Sequence, residues 1–289
     1  MPYFHNLQGE SVSPRILGTV ALLLLCLSIP GRPWSQEWSH SPPEWRTLSP
    51  GLLFAEVQVF HNQESVDNLA VVKIDPALNA FRVFYRKPQT LKAWQEETQA
   101  LVVFNASYFT AEGQPVALIL VDGTPMGPRK NPRMRGMFVA EPRGMSPDLP
   151  RATILDLQAT PVKPHNLPWS QGVQSFPLLL DSKGRIRVRE SQKKSHRTVI
   201  AADRKGNILV FNTNEDYFTL YDLARFLKAS DFEVDSALNL DGGAEAQLYI
   251  KTQDFEYFSP STWKSRLGKF LEHQRFLLPT VVGVFPRKP

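Results

Sequence analysis

Beyond residue 50 the chain advances in short apolar runs, nearly all broken by Pro, Gly, Asn or Asp before a long helix could form. Leu53 to Phe60, Leu69 to Asp75, Ala80 to Tyr85, Leu101 to Phe104 and Val116 to Val121 read as strands. So do Met137 to Ala140, Ala152 to Leu155, Thr198 to Asp203, Asn207 to Phe211 and Thr280 to Phe285. Pro76 and Asn79 punctuate an expected hairpin between the second and third runs, and Arg204-Lys-Gly206 a hairpin between Asp203 and Asn207. Gly172 to Leu180 reads as one extended segment whose Pro177 calls for an edge or a bulge. Only two stretches carry helix signals. Thr90 caps a short helix ending near Glu97. Thr219 and Asp222 form a capping-box-like pair before Leu220 to Ala229, where Leu220, Leu223, Ala224 and Leu227 share a face. The expected fold is α+β: a single domain rich in strands, with a few helices.

The N-terminus bounds where such a domain works. Ile16 to Ile29 is almost unbroken apolar sequence, preceded by Arg15 and closed by Pro30-Gly31. It is short of the ~20 residues a span needs and fits the apolar region of a secretory signal peptide, with cleavage after Ser35; an uncleaved membrane anchor is the competing reading. The expected organisation is therefore residues 1–35 as signal peptide or anchor, 36–50 as a Pro-, Ser- and Trp-rich linker, and 51–289 as the domain. That places the domain in an exported compartment: periplasmic, secreted or lumenal. Membrane contact would come only through an uncleaved leader. The one cysteine, Cys26, lies inside the apolar run, and Leu25 before it is too large for lipoprotein processing. A processed chain would carry no disulfide, thiolate metal site or cysteine nucleophile. The net charge of +5 is spread along the sequence. It favours anionic partners such as phosphates, without the arginine-rich helix or aromatic-basic alternation of a nucleic-acid binder.

Three polar groups sit at ends of apolar runs: Asn105, the pair His196-Arg197, and Asn239 with Asp241. Strand ends leading into small-residue turns aim side chains from a rigid scaffold. Asn105 can hydrogen-bond a hydroxyl, and Arg197 has the fork geometry for phosphate. Asp241 can serve as general base or nucleophile. The N–H groups around Gly242 and Gly243 can form an anion nest. Each has a plainer reading. Asn239-Leu-Asp-Gly-Gly243 could be a hairpin turn, Asn105-Ala-Ser107 is a glycosylation sequon, and His196 could be a structural histidine. Glu245 could be an exposed turn residue, and Arg129, Lys130, Arg133 and Arg135 a solvated loop. No Gly-x-Ser-x-Gly elbow, Walker loop or His-Glu-x-x-His is present. No cofactor is required by these residues, although Asp241, Asn239 and Glu245 are hard oxygen ligands of the kind Ca²⁺ or Mg²⁺ takes.

In order and spacing, these segments resemble the phosphodiester glycosidase family. Asn105-Ala-Ser-Tyr-Phe109 looks like its Asn-Gly-Gly-Phe-Phe segment. Gly113-Gln-Pro115, Asp122-Gly123, Arg197-Thr198 and Leu220-Tyr-Asp-Leu-Ala224 follow in turn. Asn239-Leu-Asp-Gly-Gly243 matches residue for residue. The resemblance spans Leu101 to Phe285. Two departures stand out: Ala244-Glu245-Ala246 where the family has small hydroxyl residues, and Ala106-Ser107 where it often has two glycines. The resemblance implies a hydrolase that cleaves a sugar from a phosphodiester-linked or cell-envelope glycan. Asp241 and Glu245 would be its catalytic carboxylates. Asn105, His196, Arg197, Asn239, Gly242 and Gly243 would bind substrate. Two other readings fit the same residues: a non-catalytic module that binds phosphate-bearing envelope glycans, and a phosphodiesterase that cleaves P–O.

Overall fold

A computed structural model describes residues 37–129, 131–144, 148–160, 167–261 and 276–288. The leader expected at 1–35 lies outside them, as does Lys130. Three antiparallel sheets carry the described residues, with two α-helices among them. The largest runs, in spatial order, Trp38–His40, Leu52–His61, Glu64–Ile74, Ile208–Thr213, Thr198–Asp203, Val234–Asn239 and Leu178–Leu180, with Arg46–Ser49 also paired to Leu52–His61. A second sheet centres on Gly136–Pro142 and Trp169–Ser175. A third orders Glu256–Ser259, Leu248–Lys251, Val102–Asn105, Leu278–Pro286 and Asn79–Gln89.

Side chains from all three sheets meet in one core, with Phe81, Phe104, Phe138, Ile200, Leu238 and Val282 fully or almost fully buried. The opposite face of the large sheet is covered by the helix Leu220–Ala229. With both faces covered, a central strand reads as a continuous apolar run rather than an alternation. In Thr198–Asp203 every residue is buried, Ile200 toward the common core and Val199 and Ala201 toward the helix. Both helices begin at the expected caps: Thr90 Oγ1 accepts from the Ala93 N–H, and Thr219 Oγ1 from the Asp222 N–H, each at 3.1 Å. Leu223, Phe226 and Leu227 bury the inner face of the second helix, each contributing ~1.5–3 kcal/mol of transfer free energy.

Three expectations are corrected. Residues 37–50, expected as part of a linker, pack on the domain: Trp38 is 3% exposed, stacks on His61 and lies in the core beneath the second helix. Pro and Ser there punctuate two short edge strands. Glu64–Ile74 and Asn79–Gln89 do not form a hairpin; the turn at Asp75 passes the chain from the large sheet to the third. Gly172 to Leu180 is two strands in two sheets, split at Phe176-Pro177. In the last two cases local pattern identified extended chain, but partner choice depends on burial of both faces, which a single run does not encode.

Candidate active site

Strand register brings four termini, at Thr213, Thr198, Asn239 and Leu178, to one end of the large sheet. Leu69 stands opposite Thr213, Asn212 opposite Thr198, Val199 opposite Asn239, and Leu238 opposite Leu178. After Asn239 the chain leaves that sheet, makes a single 3-10 turn at Gly243–Glu245 and enters the third sheet at Leu248–Lys251. The two flanking strands are unpaired with each other, so Asn239 to Gly243 is a crossing between sheets and not a hairpin turn. Leu248–Lys251 pairs with Val102–Asn105, which delivers Asn105 to the same place.

Asn105 holds the crossing. Its Oδ1 accepts from Thr198 Oγ1 at 2.6 Å and the Gln247 N–H at 3.1 Å, and its Nδ2 donates to the Asp241 carbonyl at 2.8 Å. Thr198 Oγ1 in turn accepts from Asn212 Nδ2 at 2.8 Å. Backbone bonds complete the seam: Asp241 N–H to the Ala106 carbonyl, Leu240 N–H to Thr198, Gly243 N–H to His196. At 1% exposure the Asn105 amide is committed to the scaffold, out of reach of a sugar hydroxyl or a glycosylation enzyme. Ala106 and Ser107, which replace glycines of the family pattern, also face inward. The Ala106 methyl lies in the common core, and Ser107 Oγ donates to the Gln174 carbonyl at 2.6 Å.

Arg197 is 7% exposed, and no carboxylate lies within salt-bridge distance of it among the described residues. Two backbone carbonyls hold the guanidinium: Phe218 accepts from Nε at 3.4 Å and Lys193 from Nη2 at 3.0 Å. Nη1 faces the Asp-Gly-Gly turn, where a β-carbon on Gly242 would stand 3.3 Å from it and 3.1 Å from the His196 carbonyl. Gly242 is there for this close approach, since its φ of −118° suits any residue. A buried cation without a counter-ion is costly unless an anion completes the site.

The Asp241 carboxylate is partly buried, and burial raises its pKa to about 7; the Glu245 charge adds to the rise, against the Gly242 N–H, which donates to Asp241 Oδ1 at 2.9 Å. Tyr108 spans the two charged groups. Burial and the Asp241 charge push its phenol upward while Arg197 pulls it down. Its hydroxyl donates to the Phe176 carbonyl at 2.8 Å and accepts from Asn239 Nδ2 at 3.1 Å. Tyr108 belongs to this site, yet in the sequence it is one aromatic among many; only its place in the Asn105–Phe109 segment singles it out.

The remaining expected groups divide. Glu245 is close enough for its charge to act on Asp241. Asn239 is fully buried, its Nδ2 spent on Tyr108, Phe176 and Leu240. Burial lowers the pKa of His196, and the charges that oppose this are Asp216 and Glu215, on the loop beyond the neighbouring strand. The nest expected at Gly242 and Gly243 is corrected. Both N–H groups are already spent, on Asp241 Oδ1 and on the His196 carbonyl at 3.0 Å, because the crossing between sheets uses them to fix itself. For a metal the donor set is thin: no group of three or more His, Cys, Asp or Glu among the described residues is arranged to hold one.

The crossing thus brings together a buried arginine with no carboxylate at salt-bridge distance among the described residues and a carboxyl that burial holds at about 7. The phosphodiester glycosidase family model matches residues 98–285, and the chain belongs to that family of hydrolases. Among solved structures, the zebrafish N-acetylglucosamine-1-phosphodiester alpha-N-acetylglucosaminidase catalytic domain, auto-inhibited by its pro-peptide, aligns with a TM-score of 0.57 and 17% identity. That alignment covers 87% of this chain and 89% of that one. A hypothetical protein from Synechocystis aligns with a TM-score of 0.58 and 16% identity over 86% of this chain; the chain spans only 64% of that protein's length. At such identities the likeness is one of fold. No curated protein sequence matches.

Proposed function

We propose that this chain hydrolyses the bond between a sugar's anomeric carbon and the oxygen of a phosphodiester, in a phosphorylated saccharide or cell-envelope glycan outside the cytoplasm. The observation that carries this reading is Arg197, a buried guanidinium with no carboxylate at salt-bridge distance among the described residues, next to a turn that presents Asp241. Arg197 takes the phosphate through Nη1. Asp241, in its ionised form, accepts a proton from a water that attacks the anomeric carbon. The C–O bond breaks, its electron pair leaves with the phosphate monoester, and the water oxygen stays on the sugar. A phosphate monoester is a weakly basic leaving group, so the site needs anion stabilisation more than a strong general acid. Glu245 is the second carboxylate, and its charge adds to the burial that raises Asp241 to about 7. Asn105, Asn239 and Tyr108 position the reacting groups rather than touch the sugar. The apolar run Ile16 to Ile29 supports export, and no helix among the described residues is long and apolar enough to cross a membrane.

A panel of sugar 1-phosphodiesters, assayed with wild type and Asp241→Asn, tests the reading. Release of free sugar by wild type alone supports it; phosphate-ester binding with no turnover by either protein would favour a binding module.

A further inference from the structure

The end of the large sheet that holds Arg197 and Asp241 also gathers apolar side chains that the core has not taken in. Among the described residues, large hydrophobic side chains stand exposed at Leu78, Phe176, Phe276 and Leu277, at 39–50%. Leu78 lies at the opposite end, in the turn beyond Ile74. The other three flank the crossing that carries Asp241. On one side the Phe176 carbonyl accepts from the Tyr108 hydroxyl at 2.8 Å and from Asn239 Nδ2 at 3.1 Å. On the other, Gln247 Nε2 donates to the Ala244 carbonyl at 3.1 Å and to the Phe276 carbonyl at 3.5 Å. A single exposed apolar residue is ordinary; several at one end, rimmed by polar groups, mark a contact surface.

Basic side chains share this rim. Gly136 pairs with Ser175, which carries Arg135 alongside Phe176. Arg133 and Arg135 are exposed, and neither has a carboxylate at salt-bridge distance among the described residues. Lys193, also exposed, is the residue whose carbonyl holds Arg197. Glu64, Glu215 and Asp216 stand on the other side of Thr198–Asp203 from Asn239 and Phe176, so they do not neutralise the rim. The chain also enters the domain at this end. Trp38 stands opposite His61, near the tip of a hairpin that runs past the level of Leu69 and Thr213. The apolar run ending at Ile29 lies eight positions before Glu37. That keeps this end within ~30 Å of any bilayer the run enters.

We propose that this end docks on an anionic bilayer surface. Phe176, Phe276 and Leu277 enter the headgroup layer, and Arg133, Arg135 and Lys193 meet lipid phosphates. Three half-exposed side chains are too few for a stable protein–protein interface, which hides ~800 Å² on each partner. Apolar tips ringed by cations suit apolar tails beneath anionic headgroups. Arg197 and Asp241 then face the lipid surface. That the substrate is a phosphodiester carried on a lipid follows only with the glycosidase reading; the docking stands without it.

Fluorescence from single labelled positions in the full chain tests the docking. In a Cys26→Ser background, Phe176→Cys, Leu277→Cys and Leu78→Cys each carry one environment-sensitive label. The vesicles are phosphatidylcholine alone or an equal mixture with phosphatidylglycerol. Emission at positions 176 and 277 should shift to the blue with the anionic vesicles, and emission at 78 should not. Adding Arg133→Glu and Arg135→Glu should remove most of the shift. All three labelled positions are exposed, so the labels leave the core alone. An equal shift at 78, no shift at 176 and 277, or a shift that survives both charge reversals overturns the proposal. So does a shift that needs no vesicles and grows with protein concentration, which would make this end an interface between copies. A sugar 1-phosphodiester panel without turnover, docking intact, would count against the glycosidase reading alone.

Discussion

The Asn105 side chain donates to the Asp241 carbonyl at 2.8 Å across 136 positions of sequence. One amide from the third sheet thus fixes the turn that carries the reacting carboxylate, while its oxygen anchors Thr198, the residue after Arg197. The site's geometry is a property of the seam between sheets. Asn105→Ala should lower stability by about 2–4 kcal/mol, because Thr198, Gln247 and Asp241 all lose partners in a buried setting. Denaturant unfolding measures it; a loss of activity at unchanged stability would instead make Asn105 a substrate contact.

The adjacent glycines should respond differently. At Gly242 a β-carbon meets Arg197 Nη1 at 3.3 Å, so Gly242→Ala should push the guanidinium aside and weaken phosphate binding tenfold or more, about 1.4 kcal/mol. Gly243 has φ +77° and nothing nearer than 3.7 Å, so Gly243→Ala should lower stability by ~1–2 kcal/mol through strain. Titrating both variants with phosphate, and melting both, would expose a reversed pattern.

Arg197→Lys keeps the charge and loses the fork. Affinity for a sugar phosphate should fall at least tenfold, with the melting temperature little changed. Equal inhibition constants in the two proteins would remove Arg197 from the phosphate site.

Burial holds the Asp241 carboxyl at about 7 in the folded chain, above its ordinary 3.8. The folded state therefore holds a proton that the unfolded state releases first. This contribution to stability is fully present below pH 3.8 and is lost as pH rises toward about 7. Asp67, which burial likewise raises to about 7, adds in the same direction. Asp241→Asn should thus melt close to wild type at pH 4 and above it at pH 8. Parallel melting curves at both pH values would show that Asp241 is not buried at this cost.

The same ionisation should gate turnover. As a base Asp241 works deprotonated, so kcat/KM should rise through pH about 7. Glu245→Gln removes a charge that holds the carboxyl up, and should move that rise to lower pH. A pH profile identical to wild type would separate the two carboxylates.

Much of this architecture was legible from residue types, and the limits have physical causes. Strand positions and both helix caps follow from local chemistry: Thr90 and Thr219 accept the bonds their positions imply. Partnering did not follow, because Asp75 and Pro177 read as turn punctuation whether the chain folds back or changes sheet. Asn105, Arg197 and Asp241 were identifiable as polar groups ending apolar strands, and they do converge. The roles of individual atoms were not, since the Gly242 and Gly243 N–H groups look free in sequence and are used by the crossing. The burial of Asp67 gave no signal, since it depends on a loop nearly 150 positions away.

Hydrolysis of a sugar 1-phosphodiester in ¹⁸O-labelled water, with Asp241→Asn alongside, bears most directly on the pairing of Arg197 with Asp241. The expected result is label in the released sugar, none in the phosphate, and no turnover in the variant. Label in the phosphate, or undiminished release by Asp241→Asn, would contradict it.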